Sequence, residues 1–134
     1  MSFLNSSYLN KLRTNFLAYA LKRRDVIKQS GDALHHAKRA IFALHRDNRD
    51  EAAQKLKEVE RIYSELNKKY QKDPAVMFEG SYRAGLEEYV EAKLLYSFLT
   101  TSKIGSIREL PIDGDMYLAG LCDVPGELYR YAIK

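Results

Sequence analysis

The chain has 134 residues, 46% of them apolar and 30% charged, with a formal net charge of +4. This length and balance indicate one globular domain with a real core and exclude a disordered chain. The single cysteine, Cys122, excludes an intrachain disulfide and a thiolate zinc cluster. No apolar run reaches membrane-spanning length and the N-terminus lacks a secretory pattern, so we expect a cytoplasmic protein without a membrane span.

The first predicted element is a long helix over residues 8–44. The sequence Ser30-Gly31-Asp32 in its middle is compatible with a bend, or with a break in which Asp32 caps a second helix. We favour one continuous, mildly bent helix. Apolar residues recur along it at helical spacing: Leu9, Leu12, Phe16, Tyr19, Leu34, Ala37, Ile41 and Leu44.

This helix region is also strongly basic. Between Lys11 and Arg49 ten lysines and arginines and three histidines are opposed by three aspartates. Such a strip favours contact with a phosphate backbone, although a solvated face balanced by neighbouring acids explains it about as well. No carboxylate partner is evident for His35, His36 or His45, so we assign them to packing or phosphate contact. The candidate nucleic-acid contacts are Arg24, Lys28, Lys38, Arg39 and Arg46.

Two further helices are predicted after a polar connector over residues 46–49. Asp50 is the predicted N-cap of the second helix, which Asp73-Pro74 ends. The third helix is predicted from Pro74 or Ala75 to Thr101. The apolar stripe of the second helix, at steps of four and three, consists of Ala52, Leu56, Val59, Tyr63, Leu66 and Tyr70. The main stripe of the third consists of Tyr82, Gly85, Tyr89, Ala92, Tyr96 and Leu99.

Residues 102–114 carry two glycines and a proline and are predicted to form a loop. A final helix is predicted to start near Asp113 or Asp115 and to reach Ile133. Because proline removes a backbone donor, we expect a bend at Pro125.

Two acidic pairs are the strongest chemical signal: Glu88 with Glu91, and Asp123 with Glu127. Carboxylates three or four residues apart on a helix share one face. If the pairs converge, their oxygens suit a hard cation such as Mg²⁺. On spacing alone, a solvated and salt-bridged helix face is the commoner explanation. Glu88 and Glu91 flank the packed stripe, so each needs a basic side chain or a metal ion as partner.

Three blocks of the sequence resemble the translin/Trax family, in the family's order. Residues 24–32 (RDVIKQSGD) and 37–46 (AKRAIFALHR) resemble its first long helix. Residues 85–92 (GLEEYVEA) and 117–128 (YLAGLCDVPGEL) resemble the two Trax segments that bear its acidic site. We identify the chain as an archaeal-type Trax-like protein. The resemblance implies an all-α, translin-like antiparallel bundle of long helices over residues 1–134, a single domain lacking the family's C-terminal helices.

The resemblance also implies a function, that of a Mg²⁺-dependent endoribonuclease acting on single-stranded RNA. Glu88, Glu91 and Asp123 would be catalytic metal ligands and Glu127 an added ligand, with Mn²⁺ as a substitute ion. By their position on the first helix, either Lys38 or Arg39 could neutralise the scissile phosphate, although an ion pair with Glu88 or Glu91 explains them at least as well. The resemblance further implies a homo-oligomer formed through helix packing.

Two other hypotheses stay open. The alternative function is a non-catalytic, translin-type protein that binds single-stranded RNA or DNA. A third hypothesis is a helical scaffold in which Glu88 and Glu91 merely pair with lysine or arginine.

Overall fold

The computed structural model describes residues 3–134, and every regular element in that range is an α-helix. This confirms the predicted all-α class. None of these helices combines the length and the apolar run that crossing a membrane requires. The helices are α1 (Ser6–His45), α2 (Arg49–Tyr70), α3 (Pro74–Met77), α4 (Gly80–Thr101) and α5 (Gly114–Ile133).

Helix α1 is the axis of the bundle. It begins where the side chain of Asn5 accepts a hydrogen bond from the Tyr8 amide, and it continues without a break through residues 30–32. The predicted continuous helix is therefore confirmed. Alanines at 33, 37 and 40 are fully buried on the face that packs against α2 and α4. Small side chains there let the neighbouring helices approach closely, and α5 packs in turn on α4.

The first half of α1 is helical but largely uncovered. At 1.5 Å per residue its 40 residues span about 60 Å, whereas the 22 residues of α2 or α4 span about 33 Å. The core of the described residues starts at Val26. The predicted stripe through Leu9, Phe16 and Tyr19 is exposed, with Phe16 68% accessible. Helical periodicity therefore identified the helix correctly, although this part of its apolar face is not in the core.

Two predicted helix boundaries were wrong. Helix α2 is capped by Asn48 rather than Asp50, since the Asn48 side chain accepts a hydrogen bond from the Glu51 amide at 3.1 Å. Asp50 lies instead in the first turn, where a negative charge interacts favourably with the helix dipole. The predicted third helix is divided into α3 and α4, because Glu79 adopts an extended conformation between them. Its carboxylate binds Arg23 of α1 at 2.7 Å.

Helix α5 begins as predicted, with the Asp113 side chain accepting a hydrogen bond from the Met116 amide at 2.7 Å. The helix passes through Pro125 and continues to Ile133. Pro125 therefore removes one hydrogen-bond donor without ending the helix. The predicted loop separates α5 from α4.

Two glycines allow the helices that carry the acidic pairs to pack very closely. A Cβ atom on Gly85 would lie 1.9 Å from the Tyr63 hydroxyl of α2. A Cβ atom on Gly120 would lie 2.5 Å from a methyl carbon of Val90 and 2.9 Å from the Glu87 carbonyl oxygen, both on α4. Each glycine precedes an acidic residue by three positions, so these contacts help to set where the carboxylates of α4 and α5 lie.

Candidate metal and nucleic-acid site

The two acidic pairs line one cavity of about 300 Å³ between α4 and α5. Glu88 and Glu91 come from α4, and Asp123 and Glu127 come from α5. Carboxylates more than thirty residues apart in the sequence thus face a common space, which the metal-site hypothesis requires. We call this space the acidic cavity. Its lining is completed by Cys122, Gly126 and Arg130.

The glutamates of α4 are crowded by like charges in a sheltered position. Glu91 is only 7% exposed. Burial raises its pKa to about 7, and the charges of Glu88, Asp123 and Glu127 act in the same direction. Burial also raises the pKa of Glu88, although the nearby Lys38 ammonium opposes that rise. Crowded like-charged groups of this kind are typical of sites that bind cations.

Three of these carboxylates have no basic partner. Within residues 3–134, no lysine, arginine or histidine nitrogen lies within 4 Å of the side-chain oxygens of Glu88, Glu91 or Asp123. The scaffold hypothesis expected Glu88 and Glu91 to be paired in this way. The structure therefore gives it no support.

Glu127 differs from the other three because both of its oxygens are engaged. One oxygen accepts a hydrogen bond from Nε2 of His45 at 2.5 Å, and the other accepts from Arg130. The carboxylate is buried at this junction of α1 and α5. Sequence reasoning found no carboxylate partner for His45, and that interpretation was wrong. His45 and Glu127 are 82 positions apart, so no local pattern reveals the pair.

The chemistry of the donor set fits Mg²⁺, which prefers oxygen ligands and binds through a few carboxylates together with water. As placed, however, no three His, Cys, Asp or Glu side chains of the described range lie close enough to ligate one ion. Ligation by Glu88, Glu91 and Asp123 would therefore need side-chain rotation. All three already line the same cavity.

The five predicted nucleic-acid contacts are exposed, four of them on α1 and Arg46 at its C-cap, but only some lie near the acidic cavity. Lys38 lines a neighbouring cavity of about 180 Å³ that shares Glu88, Glu127 and Arg130 with the acidic cavity. Arg39 is the next residue, whereas Lys28 lies about 15 Å away along the helix axis and Arg24 about 21 Å. Arg46 pairs with Glu51 at 2.7 Å and Lys28 with Asp32 at 3.4 Å.

Arg130 was missed in the sequence, although its spacing gave a usable signal. It lies three positions after Glu127 on the same helix, which is the spacing of an ion pair, and it lines both cavities. The cavities are therefore bordered by two cations, Lys38 from α1 and Arg130 from α5.

Comparison with known proteins agrees with this architecture. The model of the Translin family matches residues 21–134. The chain belongs to the translin family. The crystal structure of apo-NeC3PO superposes on 98% of the chain and 69% of that protein, with a TM-score of 0.81 and 26% identity. The translin-like fold expected from the resemblance is thus confirmed.

Two curated relatives extend the comparison. An uncharacterized protein of Methanocaldococcus jannaschii is 32% identical over 114 residues, covering 84% of this translin-family chain and 50% of the relative. The translin-associated protein X homolog of Schizosaccharomyces pombe is 28% identical over 127 residues, covering 84% of this chain and 54% of the relative. The chain therefore spans about half the length of the curated relatives it matches.

Proposed function

We propose that this translin-family chain binds single-stranded RNA and cleaves it as a Mg²⁺-dependent endoribonuclease. The observation that carries the proposal is the acidic cavity, which Glu88, Glu91 and Asp123 all line and in which, among residues 3–134, none of them forms an ion pair. Membership of the translin family supports the nucleic-acid-binding part of the proposal. The adjacent cations Lys38 and Arg130 supply the positive charge that a phosphate backbone requires.

In this proposal Glu88, Glu91 and Asp123 hold Mg²⁺. When bound, such an ion polarises a phosphate oxygen and makes a coordinated water more acidic. Lys38 attracts the phosphate to the edge of the acidic cavity. The Glu127 carboxylate is less available to the ion than the other three, because His45 and Arg130 already bind its oxygens. Its role is to orient Arg130 beside the phosphate.

The second candidate function is a translin-type protein that binds single strands without cleaving them. One observation favours it: no three acidic side chains of the described range are placed to ligate an ion. In that case Lys38, Arg39 and Arg46 would still bind the strand. The acidic cavity would catalyse no reaction.

The test is cleavage of labelled single-stranded RNA in Mg²⁺, in Mn²⁺ and in EDTA. Glu88→Gln and Asp123→Asn should each abolish cleavage while RNA affinity, measured by fluorescence anisotropy, stays near that of the wild type. Glu65→Gln on α2 and Asp115→Asn in the first turn of α5 make the same changes of charge outside the cavity. These two controls should retain activity.

The outcomes separate the hypotheses. Cleavage that survives in both Glu88→Gln and Asp123→Asn rejects the proposed nuclease. Binding by the wild type without turnover in either metal establishes the non-catalytic alternative. A wild type that neither binds nor cleaves RNA rejects both candidate functions.

A further inference from the structure

An exposed aromatic side chain lies beside the acidic cavity. Phe42, near the end of α1, is 59% exposed. It lines the 180 Å³ cavity together with Lys38, Glu88 and Arg130. Leaving a phenyl ring in water forgoes the free energy that burying it would release, so a ring placed in a cavity beside a site is suited to a ligand.

Phe42 has cations on its own side of the cavity, whereas Glu88 and Glu127 form the opposite, acidic side. Lys38 lies four positions before it and Arg39 three before, so both share its helix face, and Arg46 follows as the C-cap of α1. Each of them is exposed. The uncovered apolar residues in the first half of α1 instead follow one another along an apolar stripe, as Phe16 and Tyr19 illustrate.

The exposed ring of Phe42 and the cations beside it indicate which class of ligand would bind there. A planar apolar surface with Lys38 and Arg39 one turn away on the same helix matches a nucleotide, which carries a flat base and an anionic phosphate. A symmetric contact with a second copy of the chain would bring two such basic faces together, and their repulsion disfavours it.

We propose that Phe42 is a stacking platform for one base of the bound single strand, with the adjoining phosphate held by Lys38 and Arg39. The inference rests on the RNA-binding part of the proposed function and does not depend on cleavage. Stacking on an aromatic ring tolerates every base, so the platform would anchor the strand next to the acidic cavity without selecting a sequence.

The chain contains no tryptophan, which allows a direct test. Phe42→Trp would carry a single indole, whose emission is quenched when a base stacks on it. We expect saturable quenching as a single-stranded RNA oligonucleotide is added. Phe78→Trp is the matched control, because Phe78 is 86% exposed in the connection between α3 and α4. Binding of the strand without quenching of the Phe42→Trp protein, or with equal quenching in both proteins, overturns the proposal.

A second measurement separates stacking from simple apolar contact. Phe42→Leu keeps an apolar side chain but has no aromatic face, so RNA affinity should fall by about 5- to 150-fold. A strand that is abasic at every position should bind the wild type more weakly by a similar factor, and this loss should be smaller in the Phe42→Leu protein. Circular dichroism checks that the variant is folded.

The remaining results distinguish this inference from the proposed function. Unchanged RNA affinity in Phe42→Leu overturns the stacking role and leaves the nuclease proposal intact. A change in molecular mass by sedimentation, without a change in RNA affinity, shows that Phe42 covers an interface between copies instead. If the wild type does not bind RNA, both proposals fall.

Discussion

Nε2 of His45 lies 2.5 Å from Oε2 of Glu127 and joins the last turn of α1 to α5. Lys134 strengthens the same junction, since its ammonium donates to the His45 carbonyl at 2.7 Å and to Asp47 at 2.9 Å. The end of α5 is therefore fixed over the end of α1. This docking helps to hold the acidic side chains of α5 against those of α4.

The first prediction concerns this junction. His45→Ala would remove one of the two donors of a buried carboxylate, so we expect the free energy of unfolding to fall by about 1–3 kcal/mol. Lys134→Met removes the more exposed contacts of Lys134 with Asp47 and the His45 carbonyl, so its loss of unfolding free energy should be smaller, about 1 kcal/mol or less. Urea unfolding measures both. Equal losses would mean that the His45 contact contributes no more than a surface ion pair.

The second prediction follows from the pKa of Glu91, which burial raises from its ordinary value of 4.5 to about 7. In metal-free protein the folded state keeps a proton that the unfolded chain releases above pH 4.5. The stabilisation that comes from this proton is therefore present at low pH and is lost as the pH rises through about 7.

Glu91→Gln removes this dependence. In EDTA we expect the variant to exceed the wild type in unfolding free energy by about 1–2 kcal/mol at pH 8, a figure reduced to allow for solvent screening. The difference between the two proteins should shrink towards pH 5. Urea unfolding at several pH values checks it. A difference that does not change with pH would contradict the raised pKa.

The third prediction concerns the contact between α4 and α5. Gly120→Ala places a methyl group against Val90 and the Glu87 carbonyl, so we expect a loss of about 1–3 kcal/mol in the free energy of unfolding. Gly31→Ala is the control, because a Cβ there meets nothing within 4 Å. Removing a helical glycine should stabilise that variant by about 0.5–1 kcal/mol. A neutral Gly120→Ala would show that the helices separate easily.

The fourth prediction is that one substitution changes the affinities for Mn²⁺ and for RNA in opposite directions. Lys38→Met removes a positive charge beside Glu88, so Mn²⁺ affinity, measured by calorimetry, should rise about threefold at low salt. RNA affinity should fall in the same variant, and its salt dependence should become shallower by about one unit of slope. Parallel changes in both affinities would contradict the position assigned to Lys38.

Periodicity in the sequence was enough to predict the main helices, because an apolar stripe repeats where a helix packs on its neighbours. It did not separate Asn48 from Asp50 as the cap of α2, since both residue types cap helices and lie two positions apart. It also missed the break at Glu79, which coincides with a pairing to Arg23 that is 56 residues distant. Such boundaries depend on tertiary contacts.

The sequence predicted which acidic residues line the candidate site. It did not predict which of them are already bound by other side chains. Spacing placed each acidic pair on one helix face, but it could not show that the close approach of α5 to α4 at Gly120 brings those faces together. The engagement of Glu127 by His45 links distant parts of the chain and leaves no trace in local sequence. The catalytic and metal-binding roles remain predictions.

Helix α1 is continuous, yet its two ends are stabilised by different means. A short helix without packing partners is only marginally stable in water, whereas the part from Val26 onwards is anchored in the core. Amide hydrogens near Ser6 should therefore exchange with deuterium orders of magnitude faster than those near Ala40. Any slowing of that early exchange on addition of a ligand or a second protein would identify what covers the protruding end.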